Sequence, residues 1–152
     1  MPIFIDTSVL PVVLSIRPTY MARILDGRKT IELRRRFPTD MPPDALVLLY
    51  STSPVQAIVG SAHLETVTQC PVRRLWREFG TEAAVTRAEF DAYFDGRESG
   101  CALRLSDVQA FSSPLHLTDL TREFEFSPPQ SYCYWKEPLA RLAAHGRVKA
   151  LT

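Results

Sequence analysis

The sequence predicts an α+β domain in which a small mixed sheet curls into a β-barrel with helices packed outside it. Two observations about the whole chain set the class. Of 152 residues, 45% are hydrophobic and 23% charged, the balance of one globular domain. Short β-branched or alternating runs also interleave with segments at helical spacing, in the order β-α-β-β-β-α-α-β-α.

Val12 to Ile16 is a first buried strand, rich in β-branched residues. Pro18 suits a first helical position, and Tyr20, Ile24 and Leu25 follow at helical spacing, so Pro18 to Asp26 is a short helix. Gly27 ends it as a left-handed cap would. Thr30 to Arg34 then alternates as a strand. Phe37-Pro38 to Pro42-Pro43 is a loop, because proline cannot sit inside a central strand.

Leu46 to Tyr50 is a continuous apolar run and a central strand. Ser51-Thr52-Ser53-Pro54 turns the chain, and a strand runs from Ala57 through Ala62, Leu64 and Val67, with Gly60 a bulge or close backbone approach. These two strands form a hairpin. Pro71 to Phe79 is a helix with Val72, Leu75, Trp76 and Phe79 on one face. Thr86 caps the next helix, with Glu89 three residues on completing a capping box, and Asp95-Gly96 stops it. Trp76, Phe79, Phe90, Tyr93 and Phe94 read as the core of a helical pair. Cys101 to Leu105 is a strand that Val108 to Phe111 continues, and Leu115, Leu117 and Leu120 make a short apolar segment. Pro128-Pro129 fixes the backbone ahead of Tyr132, Tyr134 and Trp135, and Pro138 opens a terminal helix. The organisation is an N-terminal extension at 1–11, one domain at 12–135 and a C-terminal helix at 136–152.

Composition narrows the function. No apolar run approaches the roughly 18–20 residues of a membrane span. Met1 to Val13 lacks a basic leader and carries Asp6 and two prolines, so no signal peptide is expected. Cys70, Cys101 and Cys133 are odd in number and widely spaced, which suggests reduced thiols and a cytoplasmic protein. His63, His116 and His145 have no partner at metal-ligand spacing, and no cofactor is implied. Net charge is only +1, yet seven of the eighteen basic residues lie between Arg17 and Arg36, opposed by Asp26 and Glu32. That leaves +5 there (7 − 2) and −4 elsewhere (1 − 5). One positive patch on a mildly acidic body favours one anionic ligand at one place.

The stretch Gly27 to Arg36 concentrates this charge. Ile31 and Leu33 would enter a core, while Thr30, Glu32 and Arg34 share the opposite face. The arrangement suits a polar recognition cleft. The alternative is a solvated Glu32–Arg34 edge pair, with Arg35 and Arg36 ordinary surface.

The residues also resemble a known family. Leu14-Ser15-Ile16-Arg17-Pro18-x-Tyr20, then Ile24-Leu25-x-Gly27-x-Lys29-Thr30-x-Glu32-x-Arg34, resembles the opening of ASCH domains, small β-barrels related to the PUA fold. Leu48 to Pro54, Val59-Gly60, Tyr93-Phe94-x-Gly96 and Pro128-Pro129-Gln130-Ser131-Tyr132 match in chain order. The resemblance implies a cleft beside the barrel that binds RNA or a modified nucleobase, single-stranded or as a free nucleotide. It places Lys29, Glu32 and Arg34 in that cleft, and Arg17, Thr30, Tyr50, Ser51, Ser53, Ser131 and Tyr132 are added as candidates around them. Lysine and arginine hold phosphate or carbonyl oxygens, glutamate accepts from an exocyclic amine, and tyrosine stacks on a base. Tyr50 and Tyr132 are equally readable as core residues with a rim hydroxyl.

Some ASCH proteins resemble amidohydrolases of acetylated cytidine, in which threonine stands three residues after the lysine. Here that position is Glu32, and the branch's carboxylate would fall near Glu82. Lys29 with Glu32 remains able to do acid–base work, such as cutting RNA, if the lysine pKa is lowered. The sequence-based expectation is an RNA- or modified-nucleotide-binding protein. A hydrolase at the same cleft (acetylcytidine amidohydrolase-like or ribonuclease) and a protein-interaction module stay open beside it.

Overall fold

The computed structural model describes residues 10–143, so the expectations for the N-terminal leader, for His145 and for the part of the C-terminal helix after Ala143 lie outside the described residues. The elements are β1 (Val12–Ile16), α1 (Pro18–Leu25), β2 (Ile31–Arg34), β3 (Ala45–Ser51), β4 (Ala57–Pro71) and α2 (Val72–Phe79). They continue with α3 (Arg87–Tyr93), β5 (Ser99–His116), α4 (Leu117–Phe124), β6 (Tyr132–Tyr134) and α5 (Leu139–Ala143). The six strands form one mixed sheet in the order β2-β5-β4-β3-β1-β6. β1 and β3 pair parallel, and the other neighbours are antiparallel.

The sheet is curled, and one side chain shows it. β2 and β1 are four inter-strand steps apart in the strand order. In a flat sheet that is roughly 19 Å, at about 4.8 Å per step. Yet Arg34, on β2, donates from Nη2 to the backbone carbonyl of Ser15, on β1, at 2.9 Å. Only a sheet bent into a partial barrel brings those strands within one arginine's reach.

Alternation along the strands sorts the core into layers. Val12, Leu14 and Ile16 of β1 face inward with Val47, Leu49, Ala62, Leu64, Leu103 and Leu105. Val13, Leu48, Tyr50 and Ile58 face outward, under Leu120 of α4, Phe126, Trp135 and Leu142 of α5. Ile31 and Leu33 of β2 pack with Leu75 of α2, Phe90 of α3 and Phe94. The alternation expected of β2 therefore holds. The reading of Glu32 and Arg34 as a solvated edge pair does not, since they are only 7% and 8% exposed.

Local signals act as their chemistry requires. Gly27 closes α1 at φ +87°, where a side chain would be strained. Thr86 Oγ1 accepts from the Glu89 amide, and the Glu89 carboxylate accepts from the Thr86 amide, completing the capping box. Gly60 lies where β4 shifts register, and a Cβ there would stand 2.4 Å from the Gln109 carbonyl oxygen. Two elements depart from the expected order. Leu117 and Leu120 belong to a helix, α4, whose left-handed C-cap falls on Glu125 at φ 54°. The Tyr-Cys-Tyr run is a short strand, β6, on β1, too brief to show a period.

Candidate nucleic-acid cleft

Where the curled sheet meets α1 and α3, a cleft of about 940 Å³ opens. Its walls include Arg17 and Tyr20 at the start of α1, Lys29, Glu32 and Arg34 around β2, and Glu89 and Tyr93 of α3. Ser131, ahead of β6, completes the wall.

Lys29 leaves the Gly27 turn and is 2% exposed. Its Nζ donates to the Ala83 carbonyl at 2.8 Å, and Glu32 Oε1 lies 4.0 Å away. Burial lowers the Lys29 pKa below the ordinary 10.5, and the Glu32 carboxylate opposes part of that shift. Glu32 Oε1 also accepts from the Leu33 amide at 3.0 Å, while Oε2 lies 3.7 Å from Arg34.

Arg34 is the most heavily used group. Besides Ser15 O, it donates from Nη1 to Ser131 O at 3.2 Å and Ser131 Oγ at 3.3 Å. The same Ser131 carbonyl accepts from the Ser15 amide at 3.0 Å. Arg34 thus ties β2, β1 and the approach to β6 together. Its Nε is buried without a partner among the described residues.

Lys29, Glu32 and Arg34 together place two cations against one carboxylate, an excess of one positive charge (2 − 1) in a buried setting. A buried charge lacking a counter-charge is costly, and an arriving anion relieves that cost. The whole lining repeats the sign. Arg17, Lys29, Arg34, Arg35, Arg36 and Arg97 face Glu32 and Glu89, a balance of +4 (6 − 2).

The opposite wall is fixed by Glu89. Tyr20 Oη donates to Glu89 Oε2 at 2.6 Å, and Arg23 Nη1 is 3.6 Å from Oε1. The bond from Tyr20, with those from Thr86, holds the Glu89 carboxyl down to about 2. Burial, and then the bond to Glu89, raises the Tyr20 phenol.

Of the residues expected at the site, the cleft brings together Arg17, Lys29, Glu32, Arg34 and Ser131. The others lie elsewhere. Thr30 turns toward Glu82, at 3.5 Å. Glu82 itself is engaged by both Arg104 nitrogens, at 2.5 and 3.2 Å. Tyr50 packs on Phe126 in the outer layer, ring centroids 5.9 Å apart. Ser51 is buried at the end of β3 opposite Ala57, and Ser53 sits in the exposed turn, where its neighbour Thr52 meets the cleft. Tyr132 packs at a tilt against Phe37, ring centroids 4.9 Å apart. Tyr20 carried a signal in the sequence, as the last residue of the Arg17-Pro18-x-Tyr20 motif. Glu89 was legible only as a cap. Among the described residues no three His, Cys, Asp or Glu side chains converge as metal ligands would, and no helix is long and apolar enough to cross a membrane.

Comparison with known proteins gives the family and the fold. Residues 9–122 match a family model described as a domain of unknown function, DUF365. An ASCH domain-containing ribonuclease of Zymomonas mobilis subsp. mobilis is 35% identical over 127 residues, covering 82% of this chain and 84% of its own. The crystal structure of ASCH from Zymomonas mobilis superposes with a TM-score of 0.82 at 32% identity, over 91% of this chain and 96% of that one. The N-terminal domain of Staphylothermus marinus McrB matches at a TM-score of 0.58 and 14% identity over 91% of this chain and 94% of its own, a likeness of fold alone.

Proposed function

The chain belongs to the ASCH family, with a PUA-like fold, and from that premise we propose that it binds RNA in the basic cleft and cuts it there. The observation that carries the reading is the buried Lys29–Glu32–Arg34 cluster, whose surplus positive charge lines a cleft of the same sign. A phosphodiester is the anion such a seat fits. The match to the relative named a ribonuclease extends over most of both chains, which supports RNA cleavage as the reaction.

The residues suit transesterification by the ribose 2′-hydroxyl. The Glu32 carboxylate takes the 2′-OH proton as the 2′-oxygen bonds to phosphorus. The bond from phosphorus to the 5′-oxygen breaks, and the Lys29 ammonium gives that oxygen a proton. The products are a 2′,3′-cyclic phosphate and a free 5′-hydroxyl. Arg34 commits both terminal nitrogens to Ser15 and Ser131 and lies 3.7 Å from Glu32, so it steadies the carboxylate through its field, with Nε its one unpartnered donor among the described residues. Arg17 and the other arginines of the mouth meet the phosphates. The acetylcytidine reaction is less well supported, because Glu32 stands where that branch carries threonine, and Thr30 faces Glu82.

A 5′-labelled single-stranded oligoribonucleotide tests the reading. Cleavage should yield a cyclic phosphate end, and replacing the ribose at the cut by deoxyribose should stop it. Glu32→Gln should lower the rate about 100-fold or more while the strand still binds. Undiminished cutting by Glu32→Gln would sink the assignment.

A further inference from the structure

Resting on the RNA reading above, we propose that the Arg35 guanidinium, laid on Tyr93 at the mouth of the cleft, is a stacking platform for an unpaired nucleobase, so that the substrate is single-stranded RNA rather than duplex or free nucleoside. Three contacts to one residue fix this arginine. Its Cζ lies 4.4 Å from the Tyr93 ring centroid. Its Nε donates to the Tyr93 carbonyl at 2.8 Å, and its amide donates to Tyr93 Oη at 3.3 Å. The ring beneath is held in turn, edge-on to Phe94 at 4.9 Å, and Phe94 is buried. Arg35 is exposed, so its guanidinium plane, held over the Tyr93 ring and tied by Nε to the Tyr93 carbonyl, is open to an arriving base. Bases stack on such planes.

The charge around it argues against an ordinary surface cation–π pair. Arg28, Arg74, Arg87, Arg104, Arg122 and Arg141 each hold an ion pair at 3.0 Å or closer. Arg35, Arg36 and Arg97 are exposed, line the cleft, and have no carboxylate partner among the described residues. Three unpaired cations at one mouth suit successive phosphates of a strand. A free nucleoside has none to offer, and a duplex keeps its bases stacked inside, away from the platform.

The test uses the full chain carrying Glu32→Gln, so that RNA is not cut, and a hexaribonucleotide with one 2-aminopurine. Binding should quench the 2-aminopurine fluorescence. Arg35→Lys keeps the charge but not the plane. It should abolish the quench and weaken binding about tenfold, with the salt dependence unchanged. The same sequence as a duplex should bind at least about tenfold more weakly than the single strand and be indifferent to Arg35→Lys. The proposal is overturned if Arg35→Lys quenches and binds like its parent, or if duplex or free nucleoside binds as tightly as the strand. A quench with no cutting by the unsubstituted protein removes the cleavage mechanism and supports the platform. Cutting that persists beside an unquenched, fully bound strand does the reverse.

Discussion

Arg34→Lys separates an arginine that closes the barrel from one that only decorates the cleft. The guanidinium serves three acceptors on two segments, Ser15 O, Ser131 O and Ser131 Oγ, and lies 3.7 Å from Glu32. A lysine ammonium is a point donor and reaches one segment at a time. If it keeps Glu32 and Ser131, the Ser15 carbonyl loses its bond to arginine. If it keeps Ser15, the Ser131 carbonyl retains only the Ser15 amide. Hydrogen bonds to charged groups contribute about 1.5–3 kcal/mol each, and one of the bonds lost is shared, so the cost is about 2–4 kcal/mol. For a chain of this size that lowers the melting temperature by roughly 4–16 °C. The assay is thermal and urea unfolding, joined to amide hydrogen exchange at β6, whose three register pairs lie beside the bond Arg34 makes to Ser131. Exchange there should accelerate more than in β4 or β5. Stability within about 0.5 kcal/mol of the parent, together with unchanged exchange at β6, would refute the clasp.

Two further outcomes depend on pH. The Lys29 pKa is lowered from 10.5, chiefly by burial, so a rate that needs its ammonium should fall on the alkaline side below pH 10.5. The same burial makes the charged form a cost to folding that is fully present below the lowered pKa and is relieved as pH rises through it toward 10.5. Lys29→Met should erase that rise in a urea-unfolding series, and an unaltered profile would count against a buried ammonium. Glu89 sits at about 2 instead of 4.5, so its contribution is whole above pH 4.5 and disappears as pH falls toward 2. Its side chain is 28% exposed, which screens the bonds to Tyr20 and Thr86. Glu89→Gln should therefore cost about 1–2 kcal/mol at pH 7. The gap should narrow below pH 4.5, and an offset that stays constant down to pH 3 would contradict the network.

What could be read from the sequence was what has a short period or a local rule. Ile31 and Leu33 against Glu32 and Arg34 is a two-residue alternation, and the structure keeps it. Thr86 with Glu89, and Gly27 after α1, obey rules confined to a few residues. The side on which Tyr50 would lie was not legible, because β3 is buried on both faces and its apolar run carries no sign of which face meets a ligand. β6 is too short for any period, and α4 has few apolar positions to mark it. Arg35 looked like any surface cation, since what distinguishes it is its seat on Tyr93 at the mouth of the cleft, a consequence of the folded chain.

Construction of the cleft and closure of the sheet use the same groups. Arg34 bends β2 toward β1, and in doing so stands beside Glu32. Lys29 pins the carbonyl of Ala83 in the connection between α2 and α3, and in doing so is buried against the same carboxylate. Glu89 caps α3 and also holds Tyr20 of α1 across the cleft. Loss of activity at any of these positions therefore confounds chemistry with folding. Arg35 is different: it is exposed, and its hydrogen bonds and ring contact among the described residues go to Tyr93 and not to a strand. A ligand effect at Arg35 with unfolding unchanged, set against coupled effects at Arg34, distinguishes recognition at the mouth from architecture at the floor.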